Sequence, residues 1–207
     1  MLLKIVIKAN PEIQYWSRLI RLKNSIVKIS DLYKETASSF LESSKLLSVL
    51  EKYGKIEFEG AYAGNVMLHG DVDIKVIREN DYTQDEMFTI LRDIHDTCGN
   101  NIRSLFIKAD WDDPRLGQQF PSGRYIGLKT YVNDERWKFD VWFISEAENT
   151  RDRGKLDISK IELSEEQRLK IILFKQYRKE HGLKVPGQEI YEAVLEEGIT
   201  NPDEYFK

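Results

Sequence analysis

Gly60-Ala-Tyr-Ala-Gly-Asn-Val-Met-Leu-His-Gly-Asp71-Val-Asp73-Ile-Lys75-Val-Ile77 is the stretch on which the fold turns. Small residues open it, and from Gly70 charged and aliphatic side chains alternate. Residues two apart on a strand share a face, so Asp71, Asp73 and Lys75 point one way while Val72, Ile74 and Val76 point into a core. The same alternation runs through Trp137-Lys-Phe-Asp140-Val-Trp-Phe-Ile144. If these two strands are neighbours, three carboxylates converge on one patch. Two like charges about 4 Å apart repel by roughly 4 kcal/mol at an effective dielectric near 20. Such a patch requires a cation or a raised pKa, unless the acids merely edge a sheet that faces water. Hard oxygen donors in this number suit Mg²⁺ or Mn²⁺, and paired ions of this kind serve phosphoryl chemistry. Lys75 and Lys138 lie on the same strand faces, where each supplies either partial neutralisation or a contact to phosphate.

Working outward, Ile56 and Phe58 show the period-two pattern of a strand entering this stretch. Before it, Asn10-Pro11 predicts a helix start, Ser30-Asp31 a second start, and Gly54 a stop. Residues 1–8 alternate like a strand with one wet face. Lys4 interrupts their apolar run and no small-residue cleavage site follows, which argues against a signal peptide. Beyond Ile77, Thr83 and Glu86 form a capping box that opens a helix to about Thr97. A strand is expected at 104–108 and a turn-rich loop at 110–123, in which Trp111-Asp-Asp-Pro114 is ordinary turn chemistry. Strands at 124–132 and 136–144 are joined by a short hairpin loop at 133–135. Charged residues 146–155 are expected to form a solvated connection without a functional role. A second capping box, Ser164 to Gln167, opens a helix to about His181, and Pro186 opens another that Gly198 ends. The expected fold is therefore α+β: a mixed-sheet core over residues 55–145, an N-terminal strand and helices over 1–54, and a linker with C-terminal helices over 146–207.

The 207 residues carry 31 Lys+Arg against 35 Asp+Glu, a formal charge of −4. With 41% hydrophobic and 11% aromatic residues the chain has ample surface to bury. The charge balance gives no support to a protein that coats nucleic acid through bulk charge, so no broad nucleic-acid binding is expected. No run of eighteen apolar residues exists, and no membrane span is expected. A single cysteine, Cys98, excludes an internal disulfide and a cysteine-based zinc site; it reads as a buried thiol, and a cytoplasmic location is expected.

Phe58-Glu-Gly60-Ala61, Asp71-Val-Asp73-Ile74 and Phe139-Asp140-Val141 occur in that order along the chain. Together they resemble the signature of the polymerase-beta-type nucleotidyltransferase superfamily, and His69-Gly-Asp71-Val-Asp73 is similar to a motif of some antibiotic nucleotidyltransferases. The resemblance covers about residues 55–145. It implies that Asp71 and Asp73 hold two Mg²⁺ (or Mn²⁺) ions, that Asp140 completes one of them and helps to activate an acceptor hydroxyl, and that Gly60, Ala61 and Tyr62 cradle phosphates. The implied reaction is attack on the α-phosphorus of a nucleoside triphosphate, with transfer of a nucleoside monophosphate and release of pyrophosphate; a small-molecule acceptor is favoured. Two departures stand out: Glu59 precedes the glycine where the pattern has an apolar residue, and Ala61 replaces the usual Ser or Gly. Ala61 motivates an alternative, an inactive nucleotide-binding module of the same fold. A phosphohydrolase that opens with Asp-x-Asp ranks lower, because Lys75 occupies the slot where that pattern needs Thr or Val.

Other residues carry weaker expectations. Arg124, Lys129 and Arg136 read as surface charge, and Lys170, Lys175 and Arg178 as either a solvated helix face or a contact to triphosphate. His69 reads as a turn or packing residue. Core packing is the default for Trp111, Trp137 and Trp142, of which Trp142 shares the strand face of Asp140 and is the best placed to stack on a base.

Overall fold

The computed structural model describes residues 11–108, 121–151 and 155–206, with side chains of the first helix described from Ser25 onward. The strand expected at 1–8 and most of the loop at 110–123, including Trp111, lie outside the described residues.

Helix α1 (Pro11–Ser43) and the short α2 (Leu46–Leu50) lead into β1 (Lys55–Glu59), the single-turn helix α3 (Gly60–Ala63) and β2 (Gly70–Arg78). Helix α4 (Gln84–Cys98), β3 (Ile102–Lys108), β4 (Arg124–Val132) and β5 (Glu135–Ser145) follow, and then α5 (Glu146–Thr150), α6 (Glu165–Glu180), α7 (Gly187–Leu195) and α8 (Pro202–Tyr205). Among the described residues the strands form one five-stranded sheet in the order β1-β2-β5-β4-β3. The β2–β5 pairing is parallel; β1–β2, β5–β4 and β4–β3 are antiparallel. The fold is α+β, as the alternation predicts.

One sheet face carries Val72, Ile74, Val76, Phe139, Val141 and Phe143, and α1, α2 and α4 cover it with Leu41, Leu46, Ile90 and Ile94 among others. Cys98 closes α4 as a buried thiol, 2% exposed, with its Sγ donating to Ser44 O at 3.1 Å. A second apolar cluster joins Val66 and Leu68, just before β2, to Ile171, Ile172 and Phe174 of α6 and Ile190 and Val194 of α7. Both predicted capping boxes are present, Thr83 with Glu86 and Ser164 with Gln167. The β4–β5 hairpin turns through Asn133 (φ 50°) and Asp134 (φ 64°), the left-handed pair that matches strand twist in a two-residue turn.

The second helix start expected at Ser30-Asp31 is absent: α1 runs unbroken through it. Both side chains bond residues distant in sequence instead of capping. Ser30 is fully buried and its Oγ donates to Asn65 O at 3.0 Å. Asp31 Oδ1 accepts from Asn65 Nδ2 at 3.1 Å and from Arg168 at 2.5 Å. Arg168 also donates through Nε to Asn65 O at 2.6 Å, so one polar cluster ties α1, the segment before β2, and α6 together. The same residue types that cap a helix can bond partners distant in sequence, and here the distant partners win.

Gly70 sets a tight contact. It pairs with Trp137 in the β2–β5 register, and a Cβ there would stand 2.3 Å from Cδ2 of that ring, which is itself only 2% exposed. Gly70→Ala is expected to destabilise the protein by about 1–3 kcal/mol through overpacking. A urea midpoint that falls with an unchanged m-value checks this; an unchanged midpoint contradicts it.

Candidate active site

The opposite sheet face is charged, and the strand register builds it row by row. Glu59 pairs with Asp73, Asp73 with Asp140, and Asp140 with the side-chain-free Gly127. One row along, Asp71 pairs with Lys138; on the other side Glu57 pairs with Lys75, Lys75 with Trp142, and Trp142 with Tyr125. The parallel β2–β5 pairing thus brings the dyad and the third acid together. Asp71, Asp73 and Asp140 each offer a carboxylate oxygen, all within 4.8 Å of one another.

Three acids this close distort one another. Asp73 is pushed up to about 7, first by burial and then by the charges of Asp71 and Asp140. Burial also opposes charge on Asp71, but His69 and Lys138 outweigh it and hold that carboxyl below its ordinary value. The Lys138 ammonium stands 2.7 Å from Asp140 Oδ2 and 3.3 Å from Asp71 Oδ1. Those acids overcome its own partial burial and raise its pKa. Tyr125 donates its hydroxyl to Asp140 Oδ1 at 2.5 Å. Burial and this bond both keep the phenol neutral and raise its pKa.

Gly60 closes the site from the β1 side. Its φ of +59° favours glycine, and a Cβ would stand 2.7 Å from Asp73 Oδ2. Any side chain at 60 would press on the dyad. Glu59 pairs with Lys75 across the strands and supplies no side-chain cap to α3. This accounts for the acidic residue before the glycine: it is the counter-charge of a lysine whose side chain is 6% exposed.

A cavity of about 750 Å³ opens over the acids, with Gly60 and Ala61 on its rim. Helices α6 and α7 form its far wall with Lys175, Arg178, Gln188 and Tyr191, and the segment after β5 adds Arg151, Lys155 and Lys160. Lys175 is 3% exposed, donates to Val66 O at 2.8 Å and lies 5.7 Å from the centre of the Tyr191 ring. Burial and then Arg178 push its pKa down to about 8.

The sequence-derived candidates separate in this geometry. Asp71, Asp73, Asp140, Gly60, Ala61 and Lys75 line the cavity. Tyr62 directs its side chain to α1, with its hydroxyl 3.0 Å from that of Ser38, so only its backbone lies near the turn. Trp142 lines the cavity, edge-on to Tyr125 at 5.0 Å, whereas Trp137 stacks on Phe139 in the core. The connection at 146–155 is more than a solvated tether: Asn149, Thr150, Arg151 and Lys155 border the cavity, and Asn149 donates to Glu57 at 3.3 Å. The role of Tyr125 is not expected from the sequence, although alternation puts it on the face of β4 opposite Ile126.

The arrangement implied by the polymerase-beta-type resemblance, an acidic dyad on one strand beside a third acid on the next, is present. No family model and no curated protein matches the chain. Among solved structures, it is similar to Cid1, an RNA terminal uridylyl transferase, at a TM-score of 0.44 and 12% identity, over 77% of this chain and 45% of that one. It is also similar to the STING-associated CdnE c-di-GMP synthase from Capnocytophaga granulosa, at 0.49 and 11%, over 86% and 67%.

The raised Asp73 has a thermodynamic consequence. Folded and metal-free, it keeps its proton to about pH 7; unfolded, it loses it near the ordinary 3.8. Its contribution to stability is therefore full below about pH 4 and lost as pH rises through 7. Asp73→Asn is expected to remove that loss and, in chelator, to melt on the order of 5 °C above the wild type at pH 8, with the gap closing toward pH 4. Parallel melting profiles for the two proteins contradict it.

Proposed function

We propose that this chain is a metal-dependent nucleotidyltransferase that moves a nucleoside monophosphate from a nucleoside triphosphate to an acceptor hydroxyl and releases pyrophosphate. The observation that carries the reading is the convergence of Asp71, Asp73 and Asp140 beneath a cavity whose other wall is basic. The donor set fits divalent metal. All three ligands are hard oxygens, and among the described residues the buried Asp71 Oδ1 lacks a hydrogen-bonding partner and has only an ion-pair contact, to Lys138 at 3.3 Å. Two Mg²⁺ or Mn²⁺ ions held there would neutralise charge as it develops on the transferred phosphoryl group.

The chain's own residues supply the rest. Tyr125 holds one oxygen of Asp140 and leaves the other directed at the site, where it would orient the acceptor hydroxyl and take its proton. Lys175 and Arg178 face the acids across the cavity, where a triphosphate would meet them, and Gly60 keeps the backbone close to the dyad. Trp142, Tyr125 and Tyr191 offer ring faces for a base or an aromatic acceptor. Arg151, Lys155 and Lys160 line the cavity as well, beside Asp157, which pairs with Lys160, and this suits an acceptor with its own negative charge as much as a neutral small molecule.

Pyrophosphate release from each of the four ribonucleoside triphosphates, with Mn²⁺ or Mg²⁺ and a panel of acceptors, tests the proposal. Asp71→Ala, Asp73→Ala and Asp140→Ala are each expected to lower the rate by on the order of 10³-fold. Full activity in any of the three rules the proposal out, and nucleotide binding without turnover by the wild type transfers support to the inactive binding module.

A further inference from the structure

Lys75 and Lys138 look equivalent in sequence, each two residues from an acid of the site, but the structure gives them different settings. Lys75 is enclosed and bound to Glu59. Lys138 keeps 40% of its side chain exposed, and its ammonium reaches two of the three acids. The oxygens it reaches are informative. Asp140 Oδ1 is taken by Tyr125, which leaves Oδ2, and Lys138 stands 2.7 Å from it. His69 approaches Asp71 on the Oδ2 side at 3.7 Å, which leaves Oδ1; that atom is buried, lacks a hydrogen-bonding partner, and has Lys138 at 3.3 Å. The lysine thus sits on the oxygens that no other group satisfies.

We infer that Lys138 is the resident counter-ion of the metal-free site, and that its ammonium must leave these oxygens before a divalent ion can take them. The inference rests on the metal-site reading above and extends it: the metal is selected against an internal competitor. The two cations share both a position and a sign, so they exclude one another. Lys138 has a four-carbon stem and a half-open setting in which to swing aside, unlike Lys75. In the metal-free protein it offsets the repulsion within the acidic row. Once displaced, it is a mobile positive charge at the cavity edge, in reach of an anionic substrate.

Calorimetric titration of the full chain with Mn²⁺ alone tests the competition. Lys138→Met keeps the length of the side chain and removes its charge; it is expected to bind Mn²⁺ roughly tenfold more tightly than the wild type. A second measurement needs no variant: acylation of lysine amines in the wild type, read by mass spectrometry with and without Mn²⁺. Labelling of Lys138 is expected to rise several-fold with the metal while that of Lys75 stays constant. Affinity in Lys138→Met equal to or below wild type overturns the inference, as does Lys138 labelling that stays constant or falls with Mn²⁺. Failure of the wild type and Lys138→Met alike to bind Mn²⁺ removes the metal site itself, and the inference with it; Mn²⁺ binding without tightening removes the inference alone.

Discussion

The parallel pairing of β2 with β5 is the contact on which the rest of the structure depends. It sets Asp73 beside Asp140 and Asp71 beside Lys138 in one step, because register fixes every pair along two strands at once. The same pairing turns Val72, Ile74, Phe139 and Val141 to the other face, where they lie fully or almost fully buried. Burying these side chains contributes roughly 1.5–3 kcal/mol each, enough to hold together three acids that would otherwise spread apart. The apolar face thus stabilises the repulsion on the charged one.

Around that row, several features of the molecule act as answers to a local excess of negative charge. Lys138 lies across Asp71 and Asp140, Tyr125 donates to the other oxygen of Asp140, and Asp73 keeps a proton to about pH 7. Gly60 withholds a side chain where one would collide with Asp73. Glu59 and Lys75 neutralise each other at the edge, so the departure at position 59 from the nucleotidyltransferase pattern is half of an ion pair. None of these answers is permanent in the way a covalent bond is. A proton and a lysine ammonium can both be displaced by a stronger cation, as the proposed metal binding requires.

Much of this was legible in the sequence because it follows from periodicity. Alternation places Asp71, Asp73 and Lys75 on one face without knowledge of any neighbour, and the two capping boxes and the Asn133-Asp134 turn are local bonding patterns. What escaped depends on partners far along the chain. Ser30-Asp31 has the chemistry of a helix cap, yet Asn65 and Arg168 recruit it into a cluster inside α1. Residues 146–155 have the composition of a solvated tether, yet several border the cavity once α6 and α7 close over it. Tyr125 was visible as a strand aromatic, but its bond to Asp140 appears only when β4 is set beside β5. The difference between Lys75 and Lys138 is likewise tertiary: Lys75 is enclosed and paired with Glu59, and Lys138 keeps 40% of its side chain exposed.

One cavity of about 750 Å³ brings these details together, since the three acids and the basic Lys175 and Arg178 all line it. The proposed role of Asp71, Asp73 and Asp140 is to bind divalent metal together with a nucleotide. Anomalous diffraction from crystals grown with Mn²⁺ and a non-hydrolysable nucleoside triphosphate tests it most directly. Manganese peaks bounded by Asp71, Asp73 and Asp140, with the triphosphate extending toward Lys175 and Arg178, are the predicted result. An ordered nucleotide with no manganese at the three acids would contradict it.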